Sequence, residues 1–493
     1  MLLQLLLQLL LTLQRDMGSP LSRLRVAAAL LLARMHRALL YPLGRWIGRL
    51  GGLGHPIPPV KGPYPHVGSL RGRPRPGLPL VRVFYPAAEE DSHDHEPNIR
   101  HEAVESLAAW LNLKLLAFVF VGAMSKLGHP FKPNAPLHPD FAQTKDGKSH
   151  LPLVIFSHGL CGNCDMYTKL CGEIASHGFL VVALEHEDGS SSFAECAHSG
   201  EPVEFRHPPD VSEYTRKSLI TFRRPMLAHR TQEFRSVIEH ILSLRADKNG
   251  TTSQTALIDP AADELALDDA CSIDIQIDAA EGRRAAPNGA APDTAAAQTG
   301  VGGDAVSIET LLASIDADNM HLGGHSFGAC SVATATGLDS EVLRHMKSCF
   351  LLDLWSYPLE HDVVSAGAQR DTLLITSEEF VWMMETPVTL AYIACSNKDK
   401  KNLHSYYIPG TTHQQFSDAA WFMRGKLAWK KLARGPTPPD ISHDTTVSAI
   451  VYFLRGGRDV GSLKRANLRS FNTPGQRNSI MSGSGWKPTL PWG

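Results

Sequence analysis

No excess of either charge marks this chain. Its 48 lysines and arginines nearly cancel 50 aspartates and glutamates, leaving a formal net charge of -2 over 493 residues. No global field gathers a polyanion, so a nucleic-acid-binding role is set aside. Cysteine is scarce, with 8 in the whole sequence. That excludes a disulfide-stapled scaffold and points to reduced thiols in an intracellular setting. Cys161-Gly-Asn-Cys164, followed by Cys171, has half of a zinc-site spacing, but no second ligand pair stands at a matching distance. Neither a metal nor another cofactor is expected. No apolar run reaches the ~20 residues that cross a bilayer, and no repeat of roughly 20–50 residues is found.

What is present is a globular composition, 43% hydrophobic and 20% charged, between unusual ends. Residues 1–13 are nearly pure leucine, and residues 15–49 are Arg-rich, with Asp16 their only acid. Three readings of this leader, residues 1–55, stay open: an atypical signal peptide, an organellar transit peptide, and a basic amphipathic helix on a membrane surface. The surface helix fits best, because Arg23, Arg25, Arg34 and Arg37 are interspersed with leucines. Met17-Gly-Ser-Pro-Leu-Ser22 matches an acylation pattern only for a start at Met17. The expected location is cytoplasmic with peripheral membrane association, with secretion and an organelle as alternatives. A short apolar stretch, residues 115–124, reads equally as a buried core helix and as a lipid-facing helix. Residues 246–304, rich in Ala, Asp, Gly, Thr and Pro, are expected to be a disordered insert. A flexible tail is expected at 457–493, which leaves 56–456 as the catalytic domain.

Within that domain, strands alternate with helices. Short runs rich in Val, Leu, Ile and Phe predict strands at 80–86, 151–157, 179–184, 320–325, 349–354, 371–376 and 403–408. Phe234, Val237, Ile238, Ile241 and Leu242 share one face of a helix over 231–244. Such alternation builds a mostly parallel sheet covered by helices on both faces, with its chemistry on loops beyond the strands' carboxyl ends.

Gly324-His325-Ser326-Phe327-Gly328 follows one of these strands and precedes a small-residue helix. A G-x-S-x-G in that context is the nucleophile elbow of the α/β-hydrolase fold. Its serine occupies a strained turn, and the flanking glycines are needed where a Cβ would strike strand or helix. In this fold the acid and then the histidine follow the serine along the chain. Asp353 closes the apolar run Phe350-Leu-Leu, where an unpartnered carboxylate would be costly. His413 follows the strand ending at Ile408 and is preferred over His345, His361, His404 and His443 on order and placement. Asp353 is expected to orient His413, and His413 to take the proton of Ser326. The backbone N–H groups of Leu160 and Phe327 are the expected oxyanion donors.

These residues and their surroundings resemble the platelet-activating factor acetylhydrolases of the plasma and intracellular type II kind. The likeness covers Pro58-Pro-Val-Lys-Gly-Pro63, Val81-Arg-Val-Phe-Tyr-Pro86, Ile155-Phe-Ser-His-Gly-Leu160, Ala175-Ser-His-Gly-Phe179 and Leu184-Glu-His186. It continues through Leu352-Asp-Leu-Trp-Ser-Tyr-Pro-Leu359 and Thr412-His-Gln-Gln-Phe416. The resemblance implies calcium-independent hydrolysis of the sn-2 acyl ester of platelet-activating factor and of phospholipids with short or oxidised sn-2 chains. It also implies loose association with a membrane or lipoprotein surface. Ala329-Cys330 after the elbow and Cys161-Gly-Asn-Cys164 after the oxyanion loop depart from the family pattern and bear on acyl-chain preference. A phospholipase A1-like or small-ester carboxylesterase activity, and a non-enzymatic lipid-binding relic, remain the alternatives.

Overall fold

A computed structural model describes residues 42–89, 99–110, 117–124, 129–141, 151–208, 215–248, 306–383, 386–398, 402–423, 433–463 and 467–484. The predicted disordered insert, apart from residues 246–248, and the leader up to residue 41 lie outside the described residues.

Ten strands form one sheet. In chain order they are β1 (Val67–Gly72), β2 (Val81–Pro86), β3 (Lys132–Pro133), β4 (Leu151–Ser157), β5 (Leu180–Leu184), β8 (Ile315–His325), β9 (Ser348–Leu352), β10 (Asp371–Ser377), β11 (Leu403–Ile408) and β12 (Arg469–Ser470). A small ribbon, β6 (Ala194–Glu195) with β7 (Pro202–Val203), stands apart. The sheet order is β12-β11-β10-β9-β8-β4-β5-β2-β1-β3. Its centre, β5-β4-β8-β9-β10-β11, is parallel throughout, as the unbroken apolar runs require of strands covered on both faces. β2 joins β5 antiparallel and β12 joins β11 antiparallel.

Helices cover both faces. Labelled in chain order, those that matter below are α1 (residues 42–50), α2 (His101–Trp110), α3 (Ala117–Met124), α4 (Thr168–Ala175), α5 (Arg216–Lys248), α6 (Phe327–Leu338), α7 (Glu378–Val381), α8 (Pro439–Leu454) and α9 (Pro474–Gly483). One core lies under α5 and α6, where Phe234, Val237 and Ile241 meet Leu153, Ile155 and Leu322. The opposite core lies under α4 and α8, where Ile174 and Ile450 share a cluster with Val154, Val181 and Phe350. The chain is therefore an α/β protein with a mixed, mostly parallel central sheet.

Several sequence expectations shift, each for a local reason. The strand predicted over 349–354 stops at Leu352, because Asp353 turns to a φ of 45°. The helix predicted over 231–244 falls in the second half of α5, which runs through Pro225. The stretch 115–124 is described from Ala117, and Val119, Phe120, Val121, Ala123 and Met124 are buried against Leu53, Ile57 and Val104. Ala117–Met124 is a core helix, and α1 lies over it: a Cβ on Gly48 would stand 2.7 Å from the Ala123 side chain. Much of the predicted flexible tail is docked. Phe471 is fully buried and bonds through its backbone to Ser405, and α9 follows it.

The elbow turn is sterically fixed. A Cβ on Gly328 would lie 2.1 Å from the Ser157 carbonyl oxygen, and one on Gly324 would lie 2.4 Å from the backbone of Gly328. Backbone cannot yield as a side chain can. Gly328→Ala is expected to destabilise the fold by about 1–3 kcal/mol or more through overpacking. Gly337→Ala on the same helix, whose nearest neighbour is Val363 at 3.4 Å, should change little. Denaturant unfolding of the two variants measures the difference.

Candidate active site

Five parallel strands deliver the site at their carboxyl ends. Ser157-His158-Gly159-Leu160 leaves β4, Ser326 leaves β8, Asp353 leaves β9, Ser377 ends β10, and His413 follows β11. Ser326 has φ 58° and ψ -116°, left-handed backbone that a residue with a Cβ rarely adopts. Its N–H donates to the Leu352 carbonyl at 2.9 Å, and its carbonyl accepts from Trp355 N–H at 3.4 Å. The serine is thus pinned to the residues on either side of Asp353. It is 8% exposed, at the mouth of α6, whose first N–H groups and dipole favour negative charge.

Asp353 is completely buried, and its carboxylate is well supplied with donors. Ser377 N–H donates to Oδ1 at 2.5 Å, and Ser377 Oγ–H donates to Oδ2 at 2.7 Å. His413 Nδ1 lies 2.9 Å from the same Oδ2. An ionised carboxylate only accepts, so Nδ1 carries the proton and Nε2 keeps the lone pair. The histidine is held from three further directions. Its backbone N–H donates to Glu379 Oε2 at 2.6 Å, and the Phe380 ring stacks on it at 4.6 Å and 12°. The His325 ring packs beside it, centroids 4.3 Å apart. Burial raises the pKa of the Glu379 carboxyl, against the lowering effect of the His413 N–H. Ligand atoms of His325, Asp353 and His413 all lie within 4.8 Å of one another. Ser326 Oγ forms no hydrogen bond with His413 in this arrangement, although both residues border Asp353.

The β4 loop closes against the serine: a Cβ on Gly159 would stand 3.1 Å from Ser326 Cβ. Gly159 N–H donates to Tyr167 Oη at 3.0 Å, and Tyr167 Oη is 2.8 Å from His325 Nδ1. Cys161, at φ 57°, donates its N–H to Ser190 O at 2.7 Å. The N–H groups of Leu160 and Phe327 have no acceptor among the described residues. Burial pushes the Cys161 thiol up to about 12, so it stays protonated at neutral pH.

The sequence matches the family described as platelet-activating factor acetylhydrolase, isoform II, over residues 54–271 and 294–470. The chain belongs to that family. Two relatives named platelet-activating factor acetylhydrolase are similar to it. The Gallus gallus protein is 26% identical over 82% of this chain and 83% of its own length. The Canis lupus familiaris protein is 25% identical over 76% and 71%. A Schizosaccharomyces pombe protein, whose name carries the words phospholipase A2, is 27% identical over 61% of each chain, so this chain spans less than two thirds of its length. Among solved structures, a ferulic acid esterase from Streptomyces cinnamoneus matches with a TM-score of 0.50 at 15% identity, covering 85% of this chain and 99% of that one. That likeness carries the fold alone.

In this acetylhydrolase-family chain, several supporting residues escape a motif search. Ser377, Glu379 and Phe380 sit at the end of a strand whose apolar pattern announces nothing about the acid beside it. Arg230 is the other. It interrupts the buried face of α5 between Leu227 and Phe234, and an arginine there, with Arg223 and Glu233 also buried on this helix, is a sequence signal of a polar interior. Arg230 Nε donates to Asp188 Oδ2 at 2.9 Å, Nη1 to His158 O at 2.8 Å, and Nη2 to Ser190 Oγ at 2.6 Å. Its guanidinium lies 4.6 Å over the Phe327 ring. One fixed cation therefore supports both the β4 loop and the residue after the serine.

Burial works to raise the pKa of Asp188, but Arg230 holds it below the usual carboxylate range. Both side chains are 0% exposed. Arg230→Met leaves that carboxylate without its cation and is expected to cost about 3–5 kcal/mol at neutral pH. A depressed folded pKa contributes stability above the unfolded value of about 4, and that stability is lost as the pH falls through the folded value. The gap between wild type and variant should therefore narrow on acidification, which urea titrations at several pH values test.

Proposed function

We propose that this chain is a serine esterase acting on phospholipids, cleaving the sn-2 acyl ester of platelet-activating factor and of phospholipids with short or oxidised sn-2 chains. One observation carries the reading: a serine in left-handed backbone, pinned to Leu352, beside an Asp353–His413 pair at 2.9 Å. The names of its relatives supply the substrate class.

Ser326 Oγ attacks the ester carbonyl carbon, and its proton passes to His413 Nε2, the nitrogen left free by the Nδ1–Asp353 bond. The hydrogen bond between serine and histidine, open here, tightens when substrate fills the site. Negative charge on the carbonyl oxygen is met by the N–H groups of Leu160 and Phe327, each such donor worth about 3 kcal/mol in the transition state. His413 then gives its proton to the departing glycerol oxygen, the lysophospholipid leaves, and an acyl-enzyme remains. Water, deprotonated by His413, attacks that ester; the acid is released and the proton returns to Ser326. Each developing charge meets a group of this chain, and no step calls on calcium.

The substrate's lipid surface has a matching face. On α1, Leu43, Trp46, Ile47 and Leu50 are 45%, 62%, 37% and 69% exposed, at the i, i+3, i+4, i+7 spacing of one helical stripe. Arg49 is also exposed, and Arg45 is half-buried with its Nε on Gly122 O. Leucines and a tryptophan flanked by arginines suit the boundary between lipid headgroups and acyl chains. Beneath α1, the cluster containing α3 reaches Phe422 and Met423, which follow the His413 turn. We assign α1 as the helix that seats the enzyme on a phospholipid surface with the site alongside.

Two measurements test these assignments. Hydrolysis of a short sn-2-acyl phosphocholine in excess chelator should proceed in wild type and vanish in Ser326→Ala, along with fluorophosphonate labelling. Labelling without turnover would keep the serine hydrolase and change its substrate. For the surface, Trp46→Ser with Leu50→Ser should weaken vesicle co-sedimentation by about tenfold or more, given roughly 1.5–3 kcal/mol for a buried large apolar side chain. Hydrolysis of a soluble short-chain ester should be preserved. Equal co-sedimentation would remove α1 from the lipid face.

A further inference from the structure

The turn that follows β10 touches both members of the acid–base pair. Ser377 bonds both carboxylate oxygens of Asp353, and its Oγ also accepts Phe380 N–H at 3.3 Å, which caps α7. Glu379 takes the His413 backbone N–H, and Phe380 lies on the His413 ring. Glu378 takes Gly410 N–H at 2.6 Å, in the loop that leads to His413. Four consecutive residues thus set where acid and base sit.

That turn is itself held by the chain's last described segment. Arg477 of α9 donates from Nε to Val381 O at 3.0 Å and from Nη2 to Met383 O at 3.1 Å. These are carbonyls at the open end of α7, which a cation suits. Ser484 Oγ bonds Glu378 Oε1. The segment is anchored upstream by β12 on β11, by the buried Phe471, and by Ser405 Oγ donating to Phe471 O at 2.7 Å. Ile480 packs against the core under α5 and α6.

We propose that residues 469–484 form a strap that fixes the geometry of Asp353 and His413 through the Ser377–Val381 turn, with Ser377 and Arg477 as positioning residues. The proposal rests on the assignment of Ser326, Asp353 and His413 as the catalytic groups. Ser377 is fully buried with its hydroxyl bonded to Asp353 and Phe380, and Arg477 is spent on the carbonyls of Val381 and Met383. Ser377 keeps the Asp353 carboxylate in the plane from which it accepts His413 Nδ1–H, and Arg477 keeps the turn from lifting off the sheet. Small displacements of such groups cost rate more than affinity.

The test uses the full-length protein and two rates at Ser326: modification by a fluorophosphonate, and kcat on a short-chain ester. Ser377→Ala should lower both by about 10- to 100-fold, with KM within about twofold, and Ser377→Thr should recover most of the loss. Arg477→Ala should lower both by about 3- to 10-fold, the scale of one or two lost hydrogen bonds, and Arg477→Lys should recover part. If the strap acts through the turn, the double variant loses less than the product of the single losses. Wild-type reactivity in Arg477→Ala, or strictly multiplicative losses, would overturn the strap while leaving the esterase standing. A wild-type protein inert to the fluorophosphonate would overturn the esterase reading and the strap with it. Thermal unfolding of each variant, with rates taken well below its midpoint, keeps loss of fold from passing as loss of position.

Discussion

A carboxylate with no exposure to water governs the layout of this molecule. Removing an ion of that size from solvent costs several kcal/mol even after the surroundings relax, and Asp353 meets that cost with three donors, two from Ser377 and one from His413. Each donor has a structural consequence. The Ser377 pair ties β9 to β10 beyond the last ladder bond. The His413 bond draws in the loop after β11 and fixes which ring nitrogen is protonated. On the other side, Ser326 N–H reaches back to Leu352. The strain of the serine turn is therefore held by the same strand end that carries the acid.

A comparable economy organises the interior beneath the β4 loop. Arg230 is surrounded by Asp188, Ser190, His158 O and the Phe327 ring. A second buried carboxylate, Asp165, accepts from Arg71, Arg82 and Arg100, which fasten β1, β2 and the approach to α2 to the loop before α4. Burial works to raise the pKa of Asp165, and the three guanidiniums keep it lowered. Nearby His158 is driven well below its ordinary range by burial first and Arg230 second, so it is a neutral hydrogen-bonding ring. Fixed charges at fixed positions suit a site where an oxyanion forms, because such charges and dipoles need no reorganisation when it does.

Much of this was legible beforehand, and the reason is steric. An elbow needs glycines at 324 and 328 because backbone stands where a Cβ would go, so the requirement is written in residue type. Asp353 and His413 were legible through order and strand-end position. What resisted reading acts through space. Ser377 looks like any serine closing a strand until β9 and β10 are seen to be neighbours. Glu379 reads as a surface charge in Ser377-Glu-Glu-Phe, yet it is 6% exposed and serves the His413 backbone. Phe380 reads as core, and its ring instead lies on the His413 ring. Periodicity assigned residues 115–124 to a helix without saying whether lipid or protein covered it, since an all-apolar helix looks the same in both settings.

Both segments that composition set aside as peripheral turn out to be tied to the centre. The leader's last turns, α1, cover α3 and show a leucine–tryptophan stripe outward, so part of an element read as a surface helix also closes part of the core. At the other end, a stretch rich in Ser, Gly, Arg and Pro has too few apolar residues to suggest folding, and its order comes from few anchors. Phe471 supplies the apolar one, and Arg477 supplies the polar one by satisfying carbonyls that α7 cannot. A helix of four residues has no internal partners for its last carbonyls, so α7 depends on what lies beyond its end. Because α7 carries the contacts to His413, the dependence extends to His413 itself. Composition averages over a segment, whereas docking is decided by single residues placed where a helix end can accept them.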